Sequence, residues 1–218
     1  MKLPASIGYH RLSLRLLQVK QMEAHNAQKK SKHMFSQLKA NFYLIDLAIG
    51  YSLPVFVYGI YRLRFVTKVT WQLFWVGAAI GLLWEVPIFV LSAEATSYPV
   101  IEWIRPLPFH YLIFMLCHTI WDGGLFLAGM LLVRLLCSPP RFKRFSFKEL
   151  FIFICYGQVS ALLVELASTF NDGWVYLHGY WWNPTLFLFN GHPITLLQQF
   201  VWFLAPILFY LCVLDANR

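Results

Sequence analysis

Five ionisable residues lie inside long apolar stretches of the chain, where they are well placed to do chemistry. The clearest is Glu85, in the middle of the stretch GLLWEVPIFVL. A charged group at the centre of a bilayer costs about 2.5–3.5 kcal/mol even on the milder scales. Such a residue is therefore expected to face the interior of a helical bundle, with either a hydrogen-bond partner in another helix or a catalytic role. Burial favours the neutral form of a carboxyl group, which can donate a proton. The five residues are Asp46, Glu85, His118, Asp122 and Glu165.

His118 and Asp122 are four residues apart, so they share one face of a helix. An acid beside an imidazole is a common pair for proton transfer. The same spacing also suits a polar bridge between helices, and the sequence leaves both interpretations open. Trp84 and Trp121 each directly precede an acid and are predicted to contribute to substrate binding. Asp46 lies within two turns of the expected membrane interface and is interpreted as structural.

A second set of polar residues lies in the last two apolar stretches. Gln158 and Glu165 are seven residues apart and share a helix face, where helix packing is the alternative to a role in binding. Trp202 follows Gln198 by four residues and Gln199 by three, which places an amide and an indole on one face. An indole stabilises a cation by about 0.5–2 kcal/mol. Carboxyl groups and aromatic rings in a water-poor pocket therefore suit an amine ligand or a carbocation intermediate, with packing as the alternative role for Trp202.

The elements that must position these residues are apolar stretches of membrane-spanning length. The chain is 59% hydrophobic and 13% charged, with a mean hydropathy of +0.56, whereas soluble domains carry about 25% charged residues. About 20 apolar residues cross a bilayer core. We therefore predict an all-α fold, a polytopic membrane helical bundle with about five transmembrane helices in residues 41–218. Residues 1–40 would be a basic tail, either disordered or an amphipathic surface helix. The predicted spans are 41–62, 70–93, 107–136, 149–170 and 193–214.

The distribution of charge indicates an orientation. The connection SPPRFKRFSFK carries four basic residues, so the positive-inside rule predicts that it is cytosolic. Five spans then put the C-terminus in the cytosol and the tail across the membrane, although the tail carries eight basic residues. We attribute the net charge of +8 to topology and to contacts with anionic membrane lipids, and we expect no nucleic-acid partner.

No motif indicates a metal or a nucleotide. The chain has no GxSxG, HExxH or Walker motif, and its four cysteines show no CxxC spacing. We expect neither a metal ion nor a cofactor. Residues 171–192 contain no Lys or Arg but five Trp and Tyr residues, which predicts an aromatic loop in the interface that caps a cavity.

Three patterns between residues 70 and 215 resemble one known family. The second stretch carries a Glu followed by aromatic residues, WEVPIF. The fourth contains Gly157-Gln158 and leads to the turn Asp172-Gly173, and the fifth reads QQFVWFLAP and ends near Leu214-Asp215. These patterns resemble the emopamil-binding protein family of the EXPERA superfamily, five-span membrane proteins that include the sterol Δ8–Δ7 isomerases.

The resemblance implies roles for particular residues. Glu85 would be the acid of span two, and Gln199 and Trp202 would be the amide and the indole of span five. The family's His, four residues before the Glu, is Gly81 here, and the Glu of its third span has no clear counterpart, so that His118 or Asp122 would take its place. The family mechanism implies that a ring alkene is protonated and that a proton is then removed on its other side.

We therefore predict an intramembrane isomerase that acts on a sterol or related isoprenoid by acid–base chemistry through a carbocation. The alternatives are a membrane terpene cyclase, a non-catalytic sterol or lipophilic-amine binding or transport protein, and a scaffold whose polar residues only join helices. The expected partners are a lipophilic small-molecule substrate and membrane lipids. A homodimer is left open, and the resemblance implies the endoplasmic reticulum in a eukaryotic host. The predicted catalytic residues are Glu85, His118, Asp122 and Trp202, and the predicted substrate-binding residues are Trp84, Trp121, Gln158, Glu165 and Gln199.

Overall fold

The computed structural model describes residues 22, 29–30, 36–93 and 99–217. It confirms an all-α bundle in which five helices are long and apolar enough to cross a membrane. The chain divides into two compact units, Met1–Asn41 and Phe42–Arg218, and the second contains the bundle. The amphipathic helix predicted for the tail lies almost wholly outside the described residues. The five helices are α1 (Phe42–Arg62), α2 (Lys68–Ser92), α3 (Tyr111–Leu136), α4 (Phe147–Phe170) and α5 (Leu196–Ala216).

Side-chain caps fix where three of the helices begin. The Thr67 side chain accepts a hydrogen bond from the Thr70 amide at 3.2 Å, so α2 begins two residues earlier than its apolar stretch predicts. The Ser146 hydroxyl likewise accepts a hydrogen bond from the Glu149 amide at 3.5 Å and caps the start of α4. Helix α3 begins at Tyr111, later than the predicted 107, because two prolines precede it and the His110 ring caps it.

Small residues let the helices approach closely. A side chain on Gly123 of α3 would lie 2.6 Å from the Phe74 carbonyl oxygen of α2, so these two backbones pack almost in contact. A side chain on Gly157 of α4 would lie 2.8 Å from the Trp202 carbonyl oxygen of α5. The α2–α3 and α4–α5 pairs are the most extensive helix interfaces, and α1 packs on α3 and α2.

Among the described residues, the segments that join the helices at one end of the bundle contain four short strands, which the sequence did not predict. Strand β1 (Ile101–Trp103) pairs antiparallel with β2 (Trp174–Tyr176), and β3 (Thr185–Phe189) pairs antiparallel with β4 (His192–Thr195). The turn between β3 and β4 has positive φ at Asn190 and Gly191, the pair that favours a type I′ hairpin. The predicted aromatic loop is thus partly folded into β2, β3 and β4.

The opposite end of the bundle is basic. Helices α2 and α3 pack antiparallel, and so do α4 and α5. The α1–α2 and α3–α4 connections therefore lie at the same end of the bundle. By the positive-inside rule we expect this end to face the cytosol. The basic residues there include Arg62, Arg64, Lys68, Arg141, Lys143 and Arg144.

Candidate functional site

A cavity of about 260 Å³ lies among the five helices, in the half of the bundle next to β2. This volume is close to the lower end of the range typical of small-molecule sites, about 300–1,000 Å³. The predicted residues Glu85, Asp122 and Trp202 come from three different helices and border this one space. Its polar lining consists of Asp46, Glu85, His118, Asp122, Tyr176 and Gln198, and its tryptophans are Trp121, Trp174 and Trp202.

His118 joins three helices through its two ring nitrogens. Its Nε2 atom lies 3.1 Å from Oδ2 of Asp46 on α1, and its Nδ1 atom lies 3.7 Å from Oε2 of Glu85 on α2. The ring is held between Phe89 and Trp174, with ring centroids 5.3 and 5.0 Å away. An imidazole can accept a proton on one nitrogen and release one from the other. The arrangement therefore places a proton carrier between two carboxyl groups.

Asp122 fills a space that Gly81 leaves open. It is 4% exposed, and a side chain on Gly81 would collide with its carboxyl oxygen Oδ2. The Trp84 indole is a polar neighbour of Asp122, yet among the described residues neither Trp84 Nε1 nor Asp122 Oδ2 has a hydrogen bond of good geometry. The glycine that departs from the family pattern thus makes room for the acid of α3.

Trp202 forms an aromatic wall of the cavity. Its ring stacks on Phe126 at 5.3 Å and lies 6.2 Å from the ring of Trp84. Gln198, one turn earlier on α5, lines the same cavity. Gln198 and Gln199 lie about 40° and 60° from Trp202 around the helix axis, so spacing alone does not separate them. Gln198 lines the cavity, whereas Gln199 contacts Gln158 of α4. The structure thus favours Gln198 over Gln199 as the amide beside the indole.

Tyr176 on β2 lines the cavity and is 5% exposed. Burial raises the pKa of its phenol well above the ordinary value, and the nearby carboxyl groups of Glu85, Glu165 and Asp122 raise it further. The Tyr176 hydroxyl therefore stays protonated at neutral pH and can donate a hydrogen bond.

The rim of the cavity reaches the outer surface of the bundle. Ile45 and Ile49 of α1 line the cavity and are 37% and 44% exposed, and Ala167 of α4 is an exposed lining residue as well. Helix α1 packs mainly on α3, and α4 packs mainly on α5, so the cavity opens between α1 and α4. We expect this surface to face lipid in a membrane. An apolar molecule can therefore reach the acids from the bilayer.

Three of the predicted binding residues join helices instead of lining the cavity. Gln158 donates a hydrogen bond to the backbone carbonyl of Gln199 at 2.9 Å. With the side-chain amide of Gln199 turned so that its nitrogen faces acceptors, that nitrogen lies 3.1 Å from Gln158 Oε1. Glu165 accepts a hydrogen bond from the Thr195 amide at 2.9 Å, which ties α4 to the start of α5. Trp84 is likewise not a lining residue but packs behind Trp202. The structure places the other predicted site residues, Trp121 included, in the lining.

Three polar lining residues were not among the predicted site residues: Asp46, Tyr176 and Gln198. Asp46 was interpreted as structural, yet it shares a helix face with the lining residues Phe42 and Ile49, and this spacing could have placed it. Tyr176 lies in a loop region, where no periodicity indicates which way a side chain points. Gln198 was noted on the same face as Trp202 but was not chosen as a site residue.

No group of three or more His, Cys, Asp or Glu side chains has a metal-binding arrangement among the described residues. No family model, curated protein or solved structure matches the chain. Membership of the emopamil-binding protein family therefore stays a prediction.

Proposed function

We propose that the cavity is the active site of an intramembrane isomerase that acts on a sterol or related isoprenoid through a carbocation. The observation that carries the proposal is that Glu85, His118, Asp122 and Trp202 line one cavity, although they come from three helices. Carbocation chemistry requires a proton donor, a proton acceptor and a surface that stabilises positive charge. Carboxyl groups, an imidazole and an indole can supply all three.

The reaction balances without an electron donor or acceptor. Asp122, which lines the cavity, gives its proton to one carbon of the alkene, and the other alkene carbon becomes a cation. The Trp202 ring faces this cation. A neighbouring C–H bond then breaks, its electron pair forms the new double bond, and the Glu85 carboxylate accepts the proton. His118 contacts Glu85 and is placed to carry that proton away.

The lateral opening supports a lipophilic substrate. A sterol or isoprenoid dissolves in the bilayer and can enter between α1 and α4, past Ile45 and Ile49. The part that does not react can remain among the lipid chains, which suits a cavity of about 260 Å³. The location in the endoplasmic reticulum, for a eukaryotic host, belongs to this proposal and depends on it.

A membrane terpene cyclase would use the same groups, with a second alkene of the substrate capturing the cation before the proton leaves.

A non-catalytic binding or transport protein is the second candidate. It is favoured by the excess of acid in the cavity, where Asp46, Glu85 and Asp122 accompany one imidazole. Three carboxyl groups beside tryptophan rings suit a lipophilic amine.

Solvent isotope incorporation tests the proposal. The purified protein in lipid nanodiscs is incubated in deuterated water with Δ8 sterols and with polyprenyl compounds, and the recovered lipid is analysed by mass spectrometry. An isomerase or cyclase incorporates deuterium because the alkene receives an exchangeable proton. Glu85→Gln should abolish this incorporation, since an amide cannot accept the proton.

The matched control is Glu102→Gln, which changes the same side chain at an exposed position on β1 and should retain full incorporation. Tight binding of a ligand without deuterium uptake would favour the binding protein over the enzyme. If neither binding nor uptake occurs, and Glu85→Gln only weakens the folded bundle, the polar residues act as a scaffold.

A further inference from the structure

The α3–α4 connection and the start of α4 place a serine among basic and aromatic side chains. This basic segment, residues 141–148, reads RFKRFSFK and carries four basic residues around Ser146. It lies at the basic end of the bundle, which we expect to face the cytosol. None of its residues lines the cavity, so the proposed reaction does not account for it.

Two anchors hold the basic segment in place and leave its middle exposed. Phe142 is 3% exposed, and its amide donates a hydrogen bond to Glu149 Oε1 at 3.1 Å. The Ser146 amide donates to the Tyr210 hydroxyl at 2.9 Å, and that hydroxyl donates to Glu149 Oε2 at 2.8 Å. Residues 143–145, between the two anchors, are all exposed. A protein in the cytosol can therefore contact them.

We propose that Ser146 is a phosphorylation site for a cytosolic protein kinase that selects basic residues before the serine. Kinases discriminate between substrates by patterns of charge. Lys143 and Arg144 precede Ser146 by three and two residues, and both are exposed. In the transfer, the Ser146 oxygen forms a bond to the γ-phosphorus of ATP, the bond from that phosphorus to the bridging oxygen breaks, and ADP leaves. The hydroxyl proton goes to the catalytic aspartate of the kinase. This inference does not depend on the proposed function.

The native conformation at Ser146 accommodates a phosphate. Ser146 has extended backbone angles, φ −138° and ψ 117°, and lies just before α4. Its hydroxyl oxygen accepts from the Glu149 amide at 3.5 Å, which is long for a hydrogen bond. A phosphate oxygen can accept from the same amide, and the positive end of the helix dipole favours its charge. The guanidinium group of Arg144 is a second potential partner for the phosphate. Phosphorylation should therefore leave α4 capped.

The phosphate should weaken the contact of the basic segment with anionic lipid. Phe145 and Phe147 flank Ser146 and are 48% and 80% exposed. Exposed aromatic side chains beside Lys and Arg are typical of segments that lie on an anionic membrane surface. A phosphoserine carries a charge of about −1.5 to −2 at neutral pH, which offsets about half of the four basic charges. The phosphate would thus act as an electrostatic switch.

Phosphate transfer to the full chain in lipid nanodiscs tests the site. The protein is incubated with ATP and cyclic-AMP-dependent protein kinase, which selects basic residues at these two positions, and phosphorylated residues are located by mass spectrometry. We expect phosphate on Ser146. Ser146→Asn should abolish it at this position while retaining a side chain that caps α4. Replacing both Lys143 and Arg144 by Gln should lower the rate of transfer to Ser146 at least about tenfold, because the charge pattern is lost.

Ser138→Ala is the matched control. Ser138 is exposed in the same connection, but residues 135–137 before it are uncharged, so transfer to Ser146 should not change. Binding of short-chain phosphatidylserine, measured by native mass spectrometry, should weaken at least about fivefold after phosphorylation of the native protein, and binding of phosphatidylcholine should not change. Absence of phosphate from Ser146, or an unchanged rate in the double Gln variant, overturns the site. Unchanged phosphatidylserine binding by the phosphorylated protein overturns the switch.

Discussion

Replacing Gly81 by alanine should displace the Asp122 carboxyl group without removing it. The added Cβ would collide with Asp122 Oδ2 and would lie 2.9 Å from Asp122 Cβ and 3.1 Å from Cγ. Ordinary contact begins at 3.4 Å, so the closer of these carbon atoms must retreat by 3.4 − 2.9 = 0.5 Å. Because Cβ is tied to the backbone, rotation of the carboxyl group alone does not relieve the contact, and α2 and α3 must separate locally.

The effect on catalysis should exceed the effect on stability. A misplacement of about 1 Å costs up to about 100-fold in rate, so we expect Gly81→Ala to lower kcat by about 10- to 100-fold. Overpacking costs about 1–3 kcal/mol, and alanine in place of a helical glycine returns about 1 kcal/mol. The net loss in the free energy of unfolding should therefore be about 0–2 kcal/mol.

Gly59→Ala is the matched control, because a side chain there meets no atom of the described residues within 4 Å. Both variants are compared with the native protein by deuterium uptake per folded molecule and by denaturation in nanodiscs. Gly59→Ala should be fully active and as stable as the native protein or slightly more so. If Gly81→Ala matched Gly59→Ala in activity, the position of the Asp122 carboxyl group would not matter, and its assigned role as proton donor would be wrong.

Two further predictions concern the buried acid Glu165 and the buried hydroxyl of Tyr176. Glu165→Ala should lower the free energy of unfolding by about 1–3 kcal/mol, because the buried Thr195 amide loses its acceptor. Glu165→Gln should retain most of the native stability and normal deuterium uptake. A loss of uptake in Glu165→Gln would support the substrate-binding role predicted for Glu165. The raised pKa of Tyr176 contributes stability below about pH 10 that is lost as the pH rises toward the folded-state pKa. Between about pH 8 and pH 11, the free energy of unfolding should therefore fall less for Tyr176→Phe than for the native protein. Equal falls would contradict the burial of this hydroxyl.

Helical periodicity explains what the sequence predicted correctly about the fold and the cavity. Apolar stretches of spanning length gave the five helices, and the spacing of four residues placed His118 and Asp122 on one face of α3, where both line the cavity. The partners of His118 are Asp46 and Glu85 from other helices. Spacing within one helix says nothing about which neighbouring helix it meets, so these pairs could not be predicted.

The remaining differences have local causes. Gln199 was selected because the family pattern has an amide three residues before the Trp, whereas the geometry of α5 turns Gln198 toward the cavity. Gly81 stands where the family pattern has a His, and only the packing of α2 on α3 shows that this glycine accommodates Asp122. Strand β2 consists of three residues, too few for an alternating pattern to be recognised, so Tyr176 could not be assigned to a wall of the cavity.

The central claim is that carboxyl groups from separate helices share a cavity that lipid-soluble molecules can reach. Dicyclohexylcarbodiimide, an apolar reagent that converts protonated carboxyl groups into acylureas, measures this directly when the labelled residues are located by mass spectrometry. We expect Glu85 or Asp122 to be labelled. We expect no labelling of Glu149 or Glu165, which are equally buried but do not line the cavity. Labelling of Glu149 or Glu165 with Glu85 and Asp122 untouched would contradict the claim.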